Sequence, residues 1–383
     1  MIIYKQNFMY MTDKYYTEQI LTYMGNKRKF VEKIETIIRY IEHVENKPEK
    51  SLRIGEAFSG SGILSRVFKN NSSYFCVNDI AGYSQTLNRC YLSNPTKTER
   101  IIINSLIDKA NEFVENSEEE YEKFISKHWS FNDNSQDKKN RRLYYSYENA
   151  LRIDKYMHYI KTIHKSHQHF LLAPLLVKCS MHNNTNGQFS AFYKDENGIG
   201  KLGGKKEVDL KRIEKKITLP YPLFSKTKSK KKVFRMDANK WVKEIKEVDI
   251  MYLDPPYNKH PYNIYYFLLD IINNWDTNIE IPKTNRGQPK NWKKSEYNSF
   301  KKAKEAFNEL INNIKSKWIV LSYNDGGIIP LNEIDEILEK KGNVQKIPIE
   351  HLVYNKLKGI ASYKRQGENK KVREFLWIVR CKK

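Results

Sequence analysis

Apolar residues recur in the N-terminal part of the chain with two alternating periods. Apolar positions three or four apart over residues 28–45 predict a helix, whereas the segments at 52–57 and 74–77 predict short strands. Each of these strands is followed by a segment with helical spacing, at 63–68 and at 83–91. This order of strand, helix and strand is typical of a parallel sheet with crossover helices.

The same alternation returns in the C-terminal part of the chain. The predicted elements are strands at 232–236, 248–253 and 318–322, helices at 262–273 and 299–314, and two final strands at 345–354 and 372–379. We expect the two final strands to pair as an antiparallel hairpin at the edge of the sheet.

The middle of the chain has a different pattern. Charged stretches with helical spacing occupy 118–127 and 141–164, and a lysine-rich run follows them. We therefore predict an α/β fold in which 1–92 and 232–383 form a Rossmann-like domain. Its sheet is expected to be mostly parallel, and residues 93–231 are expected to form a mainly helical inserted module.

The charge of the chain narrows the class of its partners. Lys and Arg number 68 against 45 Asp and Glu, which gives a formal net charge of +23. Such an excess favours a polyanionic partner, of which nucleic acid is the commonest. A lysine-rich composition imposed by AT-rich coding is the alternative explanation.

Cysteine and histidine usage speaks against a metal or disulfide framework. The cysteines form no CxxC pair, which fits a reducing cytoplasm, and the four histidines within 158–169 are irregularly spaced with no cysteine or paired carboxylate beside them. No apolar run approaches the ~18 residues that span a bilayer. We expect no metal and a soluble protein of the bacterial cytoplasm. The cysteines are Cys76, Cys90, Cys179 and Cys381.

The first candidate site is a glycine-containing turn at residues 56–62, between a predicted strand and a predicted helix. Gly60 and Gly62 allow a tight turn and close approach of the backbone to a ligand. A dinucleotide fingerprint would need a third glycine where Ser65 stands, which disfavours NAD. Asp79 ends the next strand and can accept hydrogen bonds from ribose hydroxyls. The pattern predicts a nucleoside site, and a plain strand–turn–helix connection is the alternative.

The second candidate site is Asp-Pro-Pro-Tyr at residues 254–257, directly after an apolar strand. An exocyclic amino group on adenine is a poor nucleophile because its lone pair is delocalised into the ring. Two acceptors on its hydrogens, here the Asp254 carboxylate and the Pro255 carbonyl, favour a tetrahedral nitrogen with an available lone pair. Pro255 and Pro256 fix the turn, and Tyr257 offers a stacking face for a base outside the duplex.

The third candidate site is Tyr-Met-Gly-Asn-Lys-Arg at residues 23–28, at the start of the first long helix. A glycine loop at a helix N-terminus, with Lys27 beside it, can hold a carboxylate. A helix start with solvated basic residues is the alternative.

Taken together, the three segments resemble the DNA adenine methylase family of class I methyltransferases, in which they occur in this order. The resemblance covers residues 20–92 and 232–383, with weaker matches at 236–238, 263–275 and 321–327. It implies S-adenosylmethionine as the cofactor, double-stranded DNA as the substrate and a restriction-modification system, with a cognate restriction endonuclease as a further partner. It also implies that residues 93–231 form the target-recognition domain.

The resemblance implies roles for individual residues as well. Residues 254–257 would be catalytic, by direct in-line methyl transfer in which Asp254 orients and polarises more than it abstracts a proton. The family more often has Asp where Glu56 stands. The implied cofactor-binding residues are Tyr23, Gly25, Asn26, Lys27, Glu56, Phe58, Ser59, Gly60, Gly62, Asp79, Ile80, Asp237, Ala238 and Asp254.

Basic clusters in three segments are candidate contacts for DNA phosphates, although each is also consistent with a solvated loop. An RNA adenine methyltransferase and a non-catalytic DNA-binding protein with a methyltransferase fold stay open as alternatives, and Asp254 weighs against a cytosine amino methyltransferase, which usually has Ser there. The candidate DNA contacts are Lys226, Lys228, Lys230, Lys290, Lys293, Lys294, Lys364 and Arg365.

Overall fold

The computed structural model describes residues 13–22, 25, 27–131, 142–290, 295–350 and 373–382. Within them, seven strands form one sheet in the order β3-β2-β1-β4-β5-β7-β6. The strands are β1 Arg53–Glu56, β2 Tyr74–Asn78, β3 Lys230–Phe234, β4 Val248–Leu253, β5 Ser316–Asn324, β6 Gly342–Glu350 and β7 Arg373–Cys381.

The five strands from β3 to β5 are parallel, and β7 runs antiparallel between β5 and β6. This confirms the predicted α/β class with a mostly parallel sheet and an antiparallel C-terminal pair. All six residues of β4 are buried, as a central parallel strand covered on both faces requires. The carboxyl ends of the parallel strands therefore meet at one edge of the sheet.

The helices of the described residues comprise four in the N-terminal part, five in the middle and four in the C-terminal part. They are α1 Lys14–Thr17, α2 Val31–Val44, α3 Ile63–Asn70, α4 Gly82–Tyr91, α5 Lys97–Asn116, α6 Ile125–Trp129, α7 Tyr147–Thr162, α8 Lys165–Met181, α9 Leu210–Glu214, α10 Ala238–Glu244, α11 Tyr262–Asn274, α12 Ala303–Asn313 and α13 Leu331–Lys341. Short 3-10 turns occupy Lys27–Phe30, Lys205–Glu207 and Glu296–Asn298.

Two helical layers cover the sheet, because alternate residues of each strand point to opposite faces. On β4, Ile250 and Tyr252 belong to the apolar cluster that contains α2 and α3. Met251 and Leu253 belong to the cluster that contains α10, α12 and α13. This double coverage fixes the register of the central strands, since a shift by one residue would exchange the two faces.

The middle of the chain is mainly helical, as predicted, and its apolar core does not end at the predicted domain boundary. A single cluster joins residues of α5, α7 and α8 to residues of α4 and α11, which belong to the sheet domain. The helix that follows residues 254–257 is thus packed directly against the inserted module. The division at 93–231 stays a prediction.

Helices α5 and α8 were not predicted, and the helix predicted at 118–127 is largely wrong. The chain is non-helical from Ser117 to Phe124, where consecutive glutamates offer no apolar face. Helix α6 begins only at Ile125, because the buried Asp154 carboxylate of α7 accepts hydrogen bonds from the Ile125 and Ser126 amides at 2.7 and 3.0 Å. Such a cap is supplied by tertiary structure.

None of the helices in the described ranges combines the length and the apolar character that a membrane crossing requires.

Candidate active site

The carboxyl ends of the parallel strands open on one pocket, which encloses about 1010 Å³ counted with the solvent at its mouth. Ligands of open α/β sheets bind at this edge. The pocket brings together residues from all three candidate sites, namely Gly25 and Lys27, the turn after β1, and Asp254 with Pro256. The predicted cofactor residues in its wall are Gly25, Lys27, Glu56, Phe58, Ser59, Gly60, Asp79, Ile80, Asp237, Ala238 and Asp254.

Two glycines shape the turn between β1 and α3. Gly60 and Gly62 have φ angles of 50° and 78°, a left-handed conformation that favours glycine. The Gly60 amide donates a hydrogen bond to Asp79 Oδ2 at 2.7 Å, which ties the turn to the end of β2. Gly62 stands behind the pocket wall, where a Cβ atom would come within 2.5 Å of Asn88 Oδ1. Gly60 thus shapes the pocket, and Gly62 allows α4 to pack closely.

Asn78, which the sequence analysis did not identify, joins three strand ends. Its Nδ2 donates to the carbonyls of Ala57 and Met236 at 3.2 and 3.0 Å, and its Oδ1 accepts from the Met236 amide at 3.0 Å. These bonds hold the turn after β1 against the segment that leads to Asp237. The only indication of this role in the sequence is that Asn78 is a polar residue directly before Asp79.

Glu56 ends β1 as a buried carboxyl in the pocket wall. Ser65, the residue that replaced the third glycine, donates a hydrogen bond to Glu56 Oε2 at 2.5 Å. Burial raises the pKa of Glu56 to about 8; the Ser65 bond opposes this shift, and the nearby Asp254 and Asp79 add to it. A cationic ligand in the pocket would favour the charged form of this group.

Asp79 and Asp237 present acceptors from two further strand ends. Asp79 Oδ1 accepts from the Ala81 amide at 2.9 Å, and burial raises the pKa of Asp79 while these amide bonds oppose the shift. Ile80 beside it is 41% exposed on the pocket wall, an apolar surface suited to a flat ring. Asp237 caps α10 through Oδ1, which accepts from the Asn239 and Lys240 amides.

Asp254 follows β4 and is paired with Lys27. The Lys27 Nζ lies 3.2 Å from Asp254 Oδ1, and the two side chains are 5% and 20% exposed. Burial raises the pKa of Asp254 to about 6; Lys27 opposes the shift and Glu374 adds to it. Burial lowers the pKa of Lys27, but Asp254 and Glu374 outweigh it and raise that pKa above the usual range. Lys27 therefore stays a cation beside the carboxylate.

Tyr257 directly follows the wall residue Pro256, and hydrogen bonds hold its carbonyl and that of the next residue. Its carbonyl accepts from the Ile328 amide at 2.8 Å, and the following Asn258 carbonyl accepts from Asn298 Nδ2 at 2.7 Å. A Cβ atom on Gly25, whose φ is 73°, would lie 3.2 Å from the Tyr257 hydroxyl. Its positive φ and this tight contact favour glycine at position 25, where the N-terminal segment approaches residues 254–257.

Several wall residues and one contact behind the wall were not identified from the sequence. Asp270 of α11 accepts from the Gly82 amide at 3.1 Å and so caps α4, and Tyr297 stacks edge-on against Phe58 at 5.3 Å between ring centroids. Glu374 of β7 contacts Lys27. The only indication of this role in the sequence is that Glu374 is an acidic residue in a mostly apolar strand. The other unidentified wall residues include Tyr262, Asn263, Ser295 and Asn298.

The four candidate DNA contacts that the structure describes lie in two different places. Lys226, Lys228 and Lys230 are exposed at the amino end of β3, where the Lys230 amide donates to the Ser73 carbonyl before β2. That is the edge opposite the pocket. Lys290 is exposed on the pocket side, two residues after Gln288, whose side chain bonds the carbonyl of the wall residue Asn263 at 3.1 Å.

Six predicted site residues lie outside the described residues, and their roles stay predictions. They are Tyr23, Asn26, Lys293, Lys294, Lys364 and Arg365. Over the ranges that the structure does describe, no three His, Cys, Asp or Glu side chains gather as a metal site would require.

The donors of the pocket fit a cationic nucleoside such as S-adenosylmethionine. Three buried or half-buried carboxyl groups, those of Glu56, Asp79 and Asp254, share one wall with the apolar face of Ile80. Carboxylates suit a sulfonium cation and ribose hydroxyls, and Ile80 suits a purine.

The sheet order, the antiparallel β7 and the pocket across the ends of β1, β2 and β4 are those of the class I methyltransferase fold. Residues 23–333 match the model of the D12 class N6 adenine-specific DNA methyltransferases, and the chain belongs to this family. The family acts with a methyl donor on adenine in DNA, and this membership confirms the class of enzyme that the sequence predicted.

The chain is also similar to individual type II methyltransferases and modification methylases. The chain is 29% identical to type II methyltransferase M.NlaIII of Neisseria lactamica, over 94% of this chain and 99% of that protein. It is 26% identical to modification methylase StsI of Streptococcus sanguinis and to type II methyltransferase M.FokI of Planomicrobium okeanokoites. In both cases 94% of this chain matches only 52% of the relative, so the chain spans about half the length of these two proteins.

Proposed function

We propose that this protein transfers a methyl group from S-adenosylmethionine to the exocyclic amino nitrogen of adenine in double-stranded DNA. The observation that carries the proposal is the position of Asp254, which follows β4 and shares one pocket with the glycine turn after β1. As a type II modification enzyme it would protect the target sites of a cognate restriction endonuclease. Its similarity to named type II methyltransferases supports this role.

The cofactor would be held by residues from four segments of the pocket. Asp79 would accept hydrogen bonds from the ribose hydroxyls, Asp237 would accept one from the adenine amino group, and Ile80 would cover the purine face. Lys27 and Gly25 would line the methionine end, with Glu56 near the positive charge. When bound, S-adenosylmethionine supplies an electrophilic methyl group on a sulfonium.

Asp254 and the Pro255 carbonyl would act on the target amino group. Each accepts a hydrogen bond from one hydrogen of this group, which favours a tetrahedral nitrogen with a free lone pair. Lys27 holds Asp254 Oδ1 at 3.2 Å and so limits the orientations of the carboxylate. The proton that leaves the nitrogen after transfer would pass to Asp254 or to water.

The target base would reach this pocket only after leaving the duplex. An amino group inside a stacked duplex cannot approach Asp254, so the base must swing out, and Tyr257 would offer it a stacking face. The rigid backbone at Tyr257 and Asn258 supports this role, because a stacking surface has to be in place beforehand. The helical module after α4 would read the sequence, since it packs directly on α11, which follows residues 254–257.

One experiment tests the proposed function directly. A plasmid and a matched RNA are incubated with the protein and isotopically labelled S-adenosylmethionine, and the modified position is mapped by long-read sequencing. We expect N6-methyladenine at one short sequence in the plasmid, and none with Asp254→Ala. Modified cytosine, or label in RNA alone, would contradict the proposal.

A further inference from the structure

Glu374 places a second carboxylate on the ammonium group of Lys27. It lies on β7, opposite Asn324 of β5, and it is the one acidic residue of that strand. Its Oε1 contacts Lys27 Nζ and accepts a hydrogen bond from Ser322 Oγ at 3.2 Å. The Glu374 side chain is 18% exposed, so its position is set by neighbouring strands of the sheet rather than by a surface loop.

Lys27 is therefore shared between two carboxylates from different parts of the chain. Asp254 holds it from the end of β4 and Glu374 holds it from β7. A lysine with Asp254 as its sole partner would neutralise that carboxylate more fully and weaken it as an acceptor for the target amino group. A lysine held by Glu374 alone would leave Asp254 without an orienting partner.

We propose that Glu374 is a positioning residue for the methyl transfer. By holding part of the Lys27 charge, it keeps Asp254 both oriented and available to accept a hydrogen bond from the target adenine. The inference rests on the proposed function, and it adds the C-terminal strand to the machinery that the three sequence motifs predicted.

The electrostatics of Asp254 agree with this arrangement. Burial raises its pKa, Lys27 opposes the shift, and Glu374 adds to it, with a resulting pKa of about 6. Removal of the Glu374 charge should therefore move the titration of Asp254 to lower pH. The charged and titratable groups that interact with Asp254 from the packed elements are Lys27, Glu374, Glu56, Tyr252 and Tyr257.

The test compares Glu374→Gln, which removes the charge but keeps the shape, with Glu374→Asp, which keeps the charge. Arg373→Gln is the matched control, because Arg373 is the preceding residue of β7 and pairs at the surface with Asp325. We expect Glu374→Gln to lower kcat at pH 7.5 about 10-fold, because Lys27 then neutralises Asp254 more fully and weakens it as an acceptor, with little change in KM for DNA or cofactor. The acid limb of its pH profile should move to lower pH.

Glu374→Asp should restore part of kcat and return the acid limb to its wild-type pH, and Arg373→Gln should match the wild type. A Glu374→Gln variant with wild-type kcat and an unmoved acid limb would overturn the inference. So would a loss of kcat that is accompanied only by a lower melting temperature, because a structural role would not move the acid limb.

A second measurement separates this inference from the proposed function. The Asp254 carboxyl carbon is titrated by NMR in protein with 13C-labelled aspartate, with Asp254→Asn to assign the signal. We expect a lower pKa in Glu374→Gln than in the wild type, and equal values would overturn the inference. A wild-type protein that methylates no DNA would count against the proposed function, whereas this titration would still decide whether Glu374 controls Asp254.

Discussion

The Nζ atom of Lys27 lies 3.2 Å from Oδ1 of Asp254, in a pair that is almost removed from solvent. This contact joins the segment before the first long helix to the end of β4, two regions that are far apart in the sequence. Removal of Lys27 would leave two partly buried carboxylates without their cation, and breaking a buried ion pair typically costs about 3–5 kcal/mol. The N-terminal segment is therefore part of the candidate catalytic centre and not an appendage to it.

Asp254→Asn should abolish most of the methylation while leaving DNA binding intact. The amide keeps the shape of the carboxylate and one acceptor oxygen but loses the negative charge, and loss of one preorganised electrostatic contact to the reacting group costs about 100-fold or more in kcat. Single-turnover methylation and a DNA mobility-shift assay measure the two properties. Near wild-type turnover in this variant would show that residues 254–257 are not the catalytic motif.

The rate should fall as the pH drops through about 6. Asp254 has a pKa of about 6 because burial raises it more than Lys27 lowers it, and only the carboxylate can act as the proposed acceptor. The acceptor form is thus present above pH 6 and is lost below it. A profile of kcat/KM between pH 5 and 8 reports this group in the free enzyme, and a flat profile down to pH 5 would contradict the assignment.

Glu56→Gln should stabilise the protein at alkaline pH. Burial raises the pKa of Glu56 to about 8 against an ordinary value of 4.5, so the folded state binds this proton more tightly than the unfolded state. The associated stability is complete below pH 4.5 and is lost as the pH rises through 8.

At pH 8.5 the amide should therefore gain about 1 kcal/mol or more over the wild type, a difference that vanishes at pH 4.5. Denaturant unfolding at the two pH values measures it, with the exposed Glu336→Gln as the control. An equal effect at both pH values would mean that the charge of Glu56 is not the cause. We also expect weaker cofactor binding by Glu56→Gln, measured by calorimetry.

Tyr257→Ala should impair the capture of the target base far more than Tyr257→Phe. Stacking of an aromatic ring on a base contributes about 1–3 kcal/mol, and phenylalanine keeps that face while alanine does not. Fluorescence of 2-aminopurine at the target position reports how far the base has left the duplex. Equal signals for the two variants would argue against a stacking role for this ring.

Lys290→Ala should weaken DNA binding. It should also reduce the slope of the logarithm of the binding constant against the logarithm of the salt concentration by about one. Lys290 is exposed on the pocket side, whereas Lys226, Lys228 and Lys230 lie at the opposite edge of the sheet. The triple alanine variant of these three lysines is therefore the matched comparison, and we expect it to bind DNA nearly as well as the wild type. If the triple variant lost as much DNA affinity as Lys290→Ala, the bound duplex would also contact the edge of the sheet formed by the amino ends of the strands.

Much of the fold could be predicted because its signals are local. The strands β2 and β4 are mostly apolar runs, and parallel strands buried on both faces produce that pattern whatever their neighbours are. The helix expected at 118–127 was wrong because its boundary depends on Asp154, a residue of another helix. Propensity does not report a cap that comes from elsewhere in the fold.

The sequence by itself determined the α/β class, and it predicted the glycine turn after β1 and Asp254 as the centre of the chemistry, because each of these signals depends on a few adjacent residues. Only the tertiary structure decided what surrounds Asp254. Lys27, Glu374 and Glu56 act on it from three separate segments, and electrostatic interactions depend on distance in space and on burial. Position in space also distinguishes Lys290 from Lys230, because the two lysines lie on different sides of the sheet and the sequence does not show this.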